Sequence, residues 1–105
     1  MTVTVRSIAK MIDHSLLHPT LTDSELSDGC LMARRLDVAS VCIKPFAVPL
    51  AADLPAGSTV AVGTVVGFPH GNCCTTIKLQ EAERALTDGT TELDMVAWTK
   101  RSSDE

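Results

Sequence analysis

The 105-residue sequence lacks long hydrophobic runs, aromatic residues and an excess of positive charge. It holds no run of 18 or more apolar residues, so we expect no transmembrane helix. Among Phe, Trp and Tyr it has only Phe46, Phe68 and Trp98, and the net charge is −4. Nucleic acids and anionic membranes attract basic surfaces, so the charge balance argues against both as partners.

The four cysteines, Cys30, Cys42, Cys73 and Cys74, form neither a C-x-x-C motif nor a common zinc-site spacing. The adjacent pair at 73 and 74 could be a redox or metal site. The simpler interpretation is that both are small, weakly polar residues at the start of a helix. Residues 1–10 lack the apolar core of a signal peptide, so we expect a cytoplasmic protein without disulfides.

The composition, 45% hydrophobic and 21% charged, is typical of one small globular domain. Along the chain, stretches with the apolar pattern of a strand alternate with stretches that have the pattern of a helix. They predict strands over 11–17, 38–43, 59–66 and 92–96. Helices are predicted over 24–36, 46–54 and 75–88, after a short opening helix that closes at 7–10. Short, mostly apolar strands without clean alternation are typical of a parallel sheet covered on both faces by crossover helices. Open doubly wound sheets and (β/α)8 barrels are both built this way.

Each longer predicted helix has one apolar face and a recognisable end signal. The faces are Leu26, Cys30 and Ala33 in the first, and Leu79, Ala82 and Leu86 in the second. Thr22 or Asp23 can cap the first helix at its amino end, and Gly89 can terminate the second.

The carboxyl ends of parallel strands are where catalytic groups gather. Asp94 is the strongest candidate, because a carboxylate in an apolar, buried strand costs several kcal/mol unless it is paired. Both a functional and a capped or ion-paired structural Asp94 stay open. Asp13, beside His14 on the first strand, could serve the substrate or bond to backbone in the turn before Pro19.

Two further candidates lie at strand ends. Lys44 could form an imine if desolvation or a nearby positive charge depressed its pKa, or it could place a solvated ammonium at the rim of the sheet. The loop 67–72 could contact an anion through glycine backbone and a helix amino terminus, or it could be a simple connection. His70 in that loop could be an acid or base, or merely solvated.

Four motifs in order carry a family resemblance. They are IDHSLLHP at 12–19, ASVCIKP at 39–45, VVGFPHGN at 65–72 and ELDMV at 92–96. Together they resemble the first half of deoxyribose-phosphate aldolase, a class I aldolase on a TIM barrel. The resemblance runs from about residue 8 to residue 96, so it implies a partial (β/α)8 barrel of about four parallel strands with crossover helices.

The resemblance implies a lyase of deoxyribonucleotide catabolism that needs no metal or other cofactor. The family reversibly cleaves 2-deoxy-D-ribose 5-phosphate, a small phosphorylated sugar, to glyceraldehyde 3-phosphate and acetaldehyde through a Schiff base on a lysine. Asp94 matches the family's aspartate in a proton relay with a second lysine. Asp13 matches an acidic residue near the substrate, and Cys42 a strand cysteine near the pocket, which Lys44 would also line.

This sequence departs from the family pattern at the lysine that forms the imine. In the family the imine lysine lies on the sixth strand and its partner on the seventh, whereas the pattern here stops after the fourth. Lys10, Lys44, Lys78 and Lys100 align with neither, and AWT at 97–99 breaks the pattern. We therefore expect residues 1–98 to form half of a barrel, followed by a polar tail at 99–105, and the chain alone to be inactive, as a fragment would be.

Two alternatives remain. One is a non-catalytic half-barrel that self-associates into a homo-oligomer and binds a small phosphorylated ligand through the loop 67–72. The other is an open flavodoxin-like sheet with a cofactor, although no glycine-rich loop follows the first strand.

Overall fold

A four-stranded parallel sheet forms the centre of the molecule, in the order β1-β2-β3-β4. The computed structural model describes residues 2–53 and 57–98. The strands are β1 Asp13–Leu16, β2 Ser40–Ile43, β3 Ala61–Val66 and β4 Glu92–Met95. Within the described residues β1 and β4 pair on one side only, so the sheet is not closed. The predicted α/β architecture with four parallel strands is confirmed.

The helices connect successive strands. They are α1 Val5–Ala9, α2 Asp23–Leu36, α3 Val48–Ala52 and α4 Thr75–Asp88, with a 3-10 turn at Pro45–Ala47 before α3. The opening helix ends at Ala9, within the predicted closing stretch 7–10, and it begins where Thr4 and Ser7 cap each other's backbone N–H groups. None of the helices in the described part of the chain combines the length and hydropathy needed to cross a bilayer. Residue 54 of the third predicted helix and the predicted tail 99–105 lie outside the described residues.

The predicted apolar face of α2 is confirmed. Leu26, Cys30 and Ala33 are all buried against the sheet. The helix begins where predicted, because the Thr22 hydroxyl accepts the backbone N–H of Glu25 at 3.2 Å. This cap satisfies one of the donors that a helix amino end leaves free.

The predicted apolar face of α4 is wrong for its two leucines, although its third member, Ala82, is partly buried. Leu79 and Leu86 are 55% and 57% exposed, and the buried residue of this helix is Ala85. The helix turns a row of partly buried side chains, which includes Glu81, inward instead. The Glu81 carboxylate accepts the backbone N–H of Gly67 at 2.7 Å. This bond fixes the rotation of the helix against the end of β3.

The hydrophobic core lies on one face of the sheet. Leu16, Val41 and Ile43 join it from the strands, and α2 and α3 cover them. Consecutive strands joined by crossovers of one hand place all helices on the same side. The expectation of helices on both faces is therefore wrong, and the opposite face carries the alternate, more polar side chains.

The last strand is also more exposed than predicted. Glu92, Asp94 and Met95 are exposed, and only Leu93 is partly buried. The reason is that β4 is an edge strand of the described sheet. The Asp94 carboxylate is therefore not desolvated by burial in this structure. Any special role of Asp94 depends on the side chains around it.

Candidate functional site at the carboxylate-bearing face

Three side chains from three strands converge on the open face of the sheet. Oxygen or sulfur atoms of Asp13, Cys42 and Asp94 all lie within 4.8 Å of one another. Cys42 stands in register with Gly63 on β3, and Gly63 with Glu92 on β4. Gly63 has no side chain, and a Cβ placed there would lie 3.2 Å from the Glu92 Cβ. This glycine keeps open the space between the thiol and the carboxylates.

Hydrogen bonds hold two of these groups in place. The Cys42 thiol donates to Asp94 Oδ2 at 3.7 Å, and the Ser40 hydroxyl donates to Asp13 Oδ1 at 2.8 Å. The open alternative for Asp13, a bond to backbone in the turn before Pro19, is not what the structure shows. Sequence reasoning missed Ser40. Its signal is positional, because Ser40 stands directly opposite Asp13 in the ladder.

The local charge keeps the thiol protonated. Burial, the largest cause, and the negative charges of Asp13 and Asp94 together raise the pKa of Cys42 to about 12. Cys42 is only 3% exposed. At neutral pH the thiol is therefore a neutral hydrogen-bond donor to Asp94 rather than a thiolate nucleophile.

This shift predicts a loss of stability in alkali. The pKa of Cys42 is higher in the folded chain than its ordinary value of 9.0. Its contribution is thus fully present below pH 9 and is lost as the pH rises from 9 towards 12. We expect Cys42→Ala to flatten the fall of the melting temperature in that window, as measured by circular dichroism.

The control is Cys30, which is buried in the core away from the carboxylates, with a pKa raised by burial alone. Cys30→Ala should flatten the alkaline fall less than Cys42→Ala does. Equal effects of the two substitutions would show that the carboxylates do not act on Cys42.

No lysine of the described residues is engaged with Asp94. Lys10 forms an ion pair with Asp37 at 2.7 Å. Its ammonium also donates to the carbonyl of Val38, which lies just before the amino end of β2. The Lys44 ammonium donates to the carbonyl of Leu21 at 3.1 Å. Lys44 forms no ion pair with Asp13 or Asp94 among the described residues, and its predicted place in the pocket remains a prediction.

The loop 67–72 offers less to an anion than its glycines suggested. The Gly67 N–H is already taken by Glu81, and the Gly71 N–H donates to the Gly67 carbonyl at 2.7 Å. These two backbone N–H groups are therefore not free to bind an anion. His70 is exposed.

The converging groups could in principle bind a cation. Asp13, Cys42 and Asp94 offer two carboxylates and a thiol. A closed zinc site uses four ligands, and its cysteines bind as thiolates. The raised pKa of Cys42 opposes that form. The expectation of no metal stays a prediction.

Known proteins similar to this chain share one description. A deoxyribose-phosphate aldolase of Rhodopirellula baltica is 51% identical over 89 residues, which cover 85% of this chain and 37% of that protein. One of Frankia alni is 45% identical over 104 residues, covering 93% of this chain and 46% of that protein. No protein-family model matches the chain.

The fold comparison agrees. A deoxyribose phosphate aldolase of Aeropyrum pernix, described as having a unique tetrameric structure, superposes with a TM-score of 0.85 at 28% identity. The match covers 91% of this chain and 41% of that structure. The chain therefore spans about two fifths of the length of the proteins it matches, at their amino-terminal part.

Proposed function

Since the chain is homologous to the amino-terminal part of deoxyribose-phosphate aldolases, we propose that its polar sheet face is the carboxylate side of such an aldolase site. The substrate would be 2-deoxy-D-ribose 5-phosphate, cleaved to glyceraldehyde 3-phosphate and acetaldehyde. The observation that carries the proposal is the convergence of Asp13, Cys42 and Asp94 from three strands.

In this proposal Asp94 moves protons and does not form a covalent bond. Class I aldol cleavage needs an amine for the imine and a group that shuttles protons around it. Asp94 is exposed on the open face and can receive a partner amine from a neighbouring strand. The protonated Cys42 thiol holds one of its oxygens, which leaves the other free for that amine. Asp13, fixed by Ser40, would bind the polar groups of the sugar.

We further propose that the 105-residue chain alone has no substantial aldolase activity. The described lysines are engaged elsewhere or lie on α4, and the sequence motifs align none of the four lysines with the imine position. Retaining Asp94 does not offset a missing nucleophile, because the covalent step itself is absent. Residues 1–98 would act as the barrel half and 99–105 as a tail, in a cytoplasmic setting.

A chimera tests whether this half is functional. Residues 1–96 of this chain would replace the matching part of the Rhodopirellula baltica aldolase, which supplies the remaining strands. We expect the chimera to melt cooperatively and to release acetaldehyde from 2-deoxy-D-ribose 5-phosphate. A chimera that folds cooperatively but shows no turnover would contradict the proposed role.

A non-catalytic, self-associating half-barrel is the second candidate. The free edges of β1 and β4 within the described residues favour it, since unpaired parallel edges recruit further strands. The tetramer description of the Aeropyrum pernix protein also supports association. Two copies closing one barrel would, however, bring the carboxylates of both open faces together, which opposes that arrangement. Light scattering on the purified chain distinguishes a defined oligomer from a monomer.

A further inference from the structure

A second group of reactive side chains lies at the amino end of α4, away from the carboxylate-bearing face. An open cavity of about 590 Å³ is found there. Its lining includes Asn72, Cys73, Cys74, Thr75, Lys78 and Trp98. Both cysteines are free and exposed, unlike Cys30 and Cys42, which are buried.

Two of these lining residues, Cys73 and Lys78, bring a thiol and a lysine stem to the same glycine beside the cavity. A Cβ built on Gly67 would lie 3.6 Å from Cys73 Sγ and 3.1 Å from Lys78 Cε. Gly67 thus leaves a gap that the side chains of Cys73 and Lys78 border from two sides. The Lys78 ammonium forms no salt bridge with any carboxylate of residues 2–53 and 57–98.

The helix end adds to the positive character of this cavity. Helix α4 has 14 residues, and its N-cap residue, Cys74, makes no side-chain capping bond. The first N–H groups of such a helix favour negative charge. Glu81 carries the nearest opposing charge on α4, and its carboxylate is occupied by the Gly67 N–H. The cavity therefore combines an attraction for anions with two accessible sulfur atoms.

We propose that this cavity is a thiol-modification site, where Cys73 captures a small anionic disulfide, of the oxidised glutathione class, as a mixed disulfide. The Cys73 thiol loses its proton to solvent, and its sulfur attacks one sulfur of the disulfide. The S–S bond breaks, and the released thiolate takes up a proton. Cys73 is oxidised to the mixed disulfide, and half of the small disulfide is reduced to a thiol. Lys78 pairs with a carboxylate of the bound half.

The site is independent of the proposed aldolase role, because it uses none of Asp13, Cys42 or Asp94. The two adjacent cysteines have different roles in this proposal. Cys73 borders the Lys78 stem and reacts, whereas Cys74 occupies the helix cap and is the matched control.

The test compares two small disulfides of opposite charge on the purified chain at low ionic strength. Oxidised glutathione is anionic and cystamine is cationic, and peptide mass mapping locates each adduct. We expect glutathione to modify Cys73 faster than Cys74, and faster than cystamine does. Lys78→Gln should slow the glutathione reaction by roughly two- to five-fold, the size of one exposed ion pair. Added salt should have a similar effect.

Cys73→Ser should abolish the fast glutathione reaction, and Cys74→Ser should retain it. Mapping of both sites in the unsubstituted chain gives the same comparison if a variant fails to fold. Buried Cys30 and Cys42 report unfolding, since they should react only when the chain opens. Equal modification of Cys73 and Cys74, or equal rates with both disulfides, would overturn the proposal.

Discussion

Asp94→Asn in the chimera with the Rhodopirellula baltica aldolase should lower kcat by at least roughly 100-fold, the usual worth of a positioned acid–base group. The amide keeps the size of the carboxylate and can still accept a hydrogen bond from the Cys42 thiol. It cannot accept and release a proton at neutral pH. Turnover of 2-deoxy-D-ribose 5-phosphate, followed by acetaldehyde release, measures the effect.

The matched control is Glu92→Gln. Glu92 precedes Asp94 by two residues on β4, so it lies on the same face and is also exposed. It is not part of the converging group formed by Asp13, Cys42 and Asp94. We expect its removal to change kcat far less. Similar losses from both substitutions would mean that negative charge on this face, rather than proton transfer by Asp94, supports the reaction.

Gly71→Ala should lower the free energy of unfolding of the chain by about 2–4 kcal/mol, from left-handed strain and overpacking together. Gly71 is buried, with φ at 70°, a conformation that side chains with a Cβ rarely adopt. A Cβ there would also lie 2.8 Å from the backbone carbonyl of Val96. Backbone cannot move aside as a flexible side chain can. Urea unfolding measures the loss.

Gly57→Ala separates the two causes. Gly57 also has a positive φ, of 92°, but a Cβ there would meet no atom within 4 Å. We expect a cost of only about 1–2 kcal/mol from left-handed strain. If both variants unfold at the same urea concentration, the contact between Gly71 and Val96 contributes nothing, and the end of β4 is not fixed by this loop.

The sequence allowed the elements to be predicted well wherever one residue decides the local structure. Thr22 fixes the start of α2, because its hydroxyl caps the helix, and Gly89 ends α4 in the left-handed conformation that glycine favours. The strands were found because β-branched and apolar runs between turn residues admit few other structures. The start of α1 was not predicted, because its capping pair Thr4 and Ser7 precedes any apolar pattern.

The rotation of α4 and the exposure of β4 could not be predicted from local patterns. Leu79 and Leu86 have the spacing of a core face, yet both are exposed, and α4 instead buries Ala85 while Glu81 reaches the Gly67 backbone. Burial of Asp94 was inferred from its apolar neighbours, but a strand at the edge of a sheet exposes such residues too. Both outcomes depend on tertiary contacts that the sequence of one element does not contain.

The candidate site was predicted in part. The family resemblance singled out Asp13, Cys42 and Asp94, but their proximity was not predicted, because β2 and β3 separate β1 from β4 and strand order alone does not bring their side chains together. The bond from Ser40 to Asp13 was missed, because a serine at a strand start has no distinctive spacing. The bond from Lys44 to the Leu21 carbonyl was also not predictable, since a long flexible side chain can reach several acceptors.

Borohydride trapping tests directly whether any lysine of this chain forms an imine with the sugar phosphate. The purified 105-residue chain would be incubated with 2-deoxy-D-ribose 5-phosphate and reduced, so that any imine becomes a stable secondary amine detected by mass spectrometry. We expect no adduct on Lys10, Lys44, Lys78 or Lys100, while the chimera treated alongside is labelled on a lysine of its aldolase part. A reduced sugar-derived adduct on any of these four lysines would contradict this expectation.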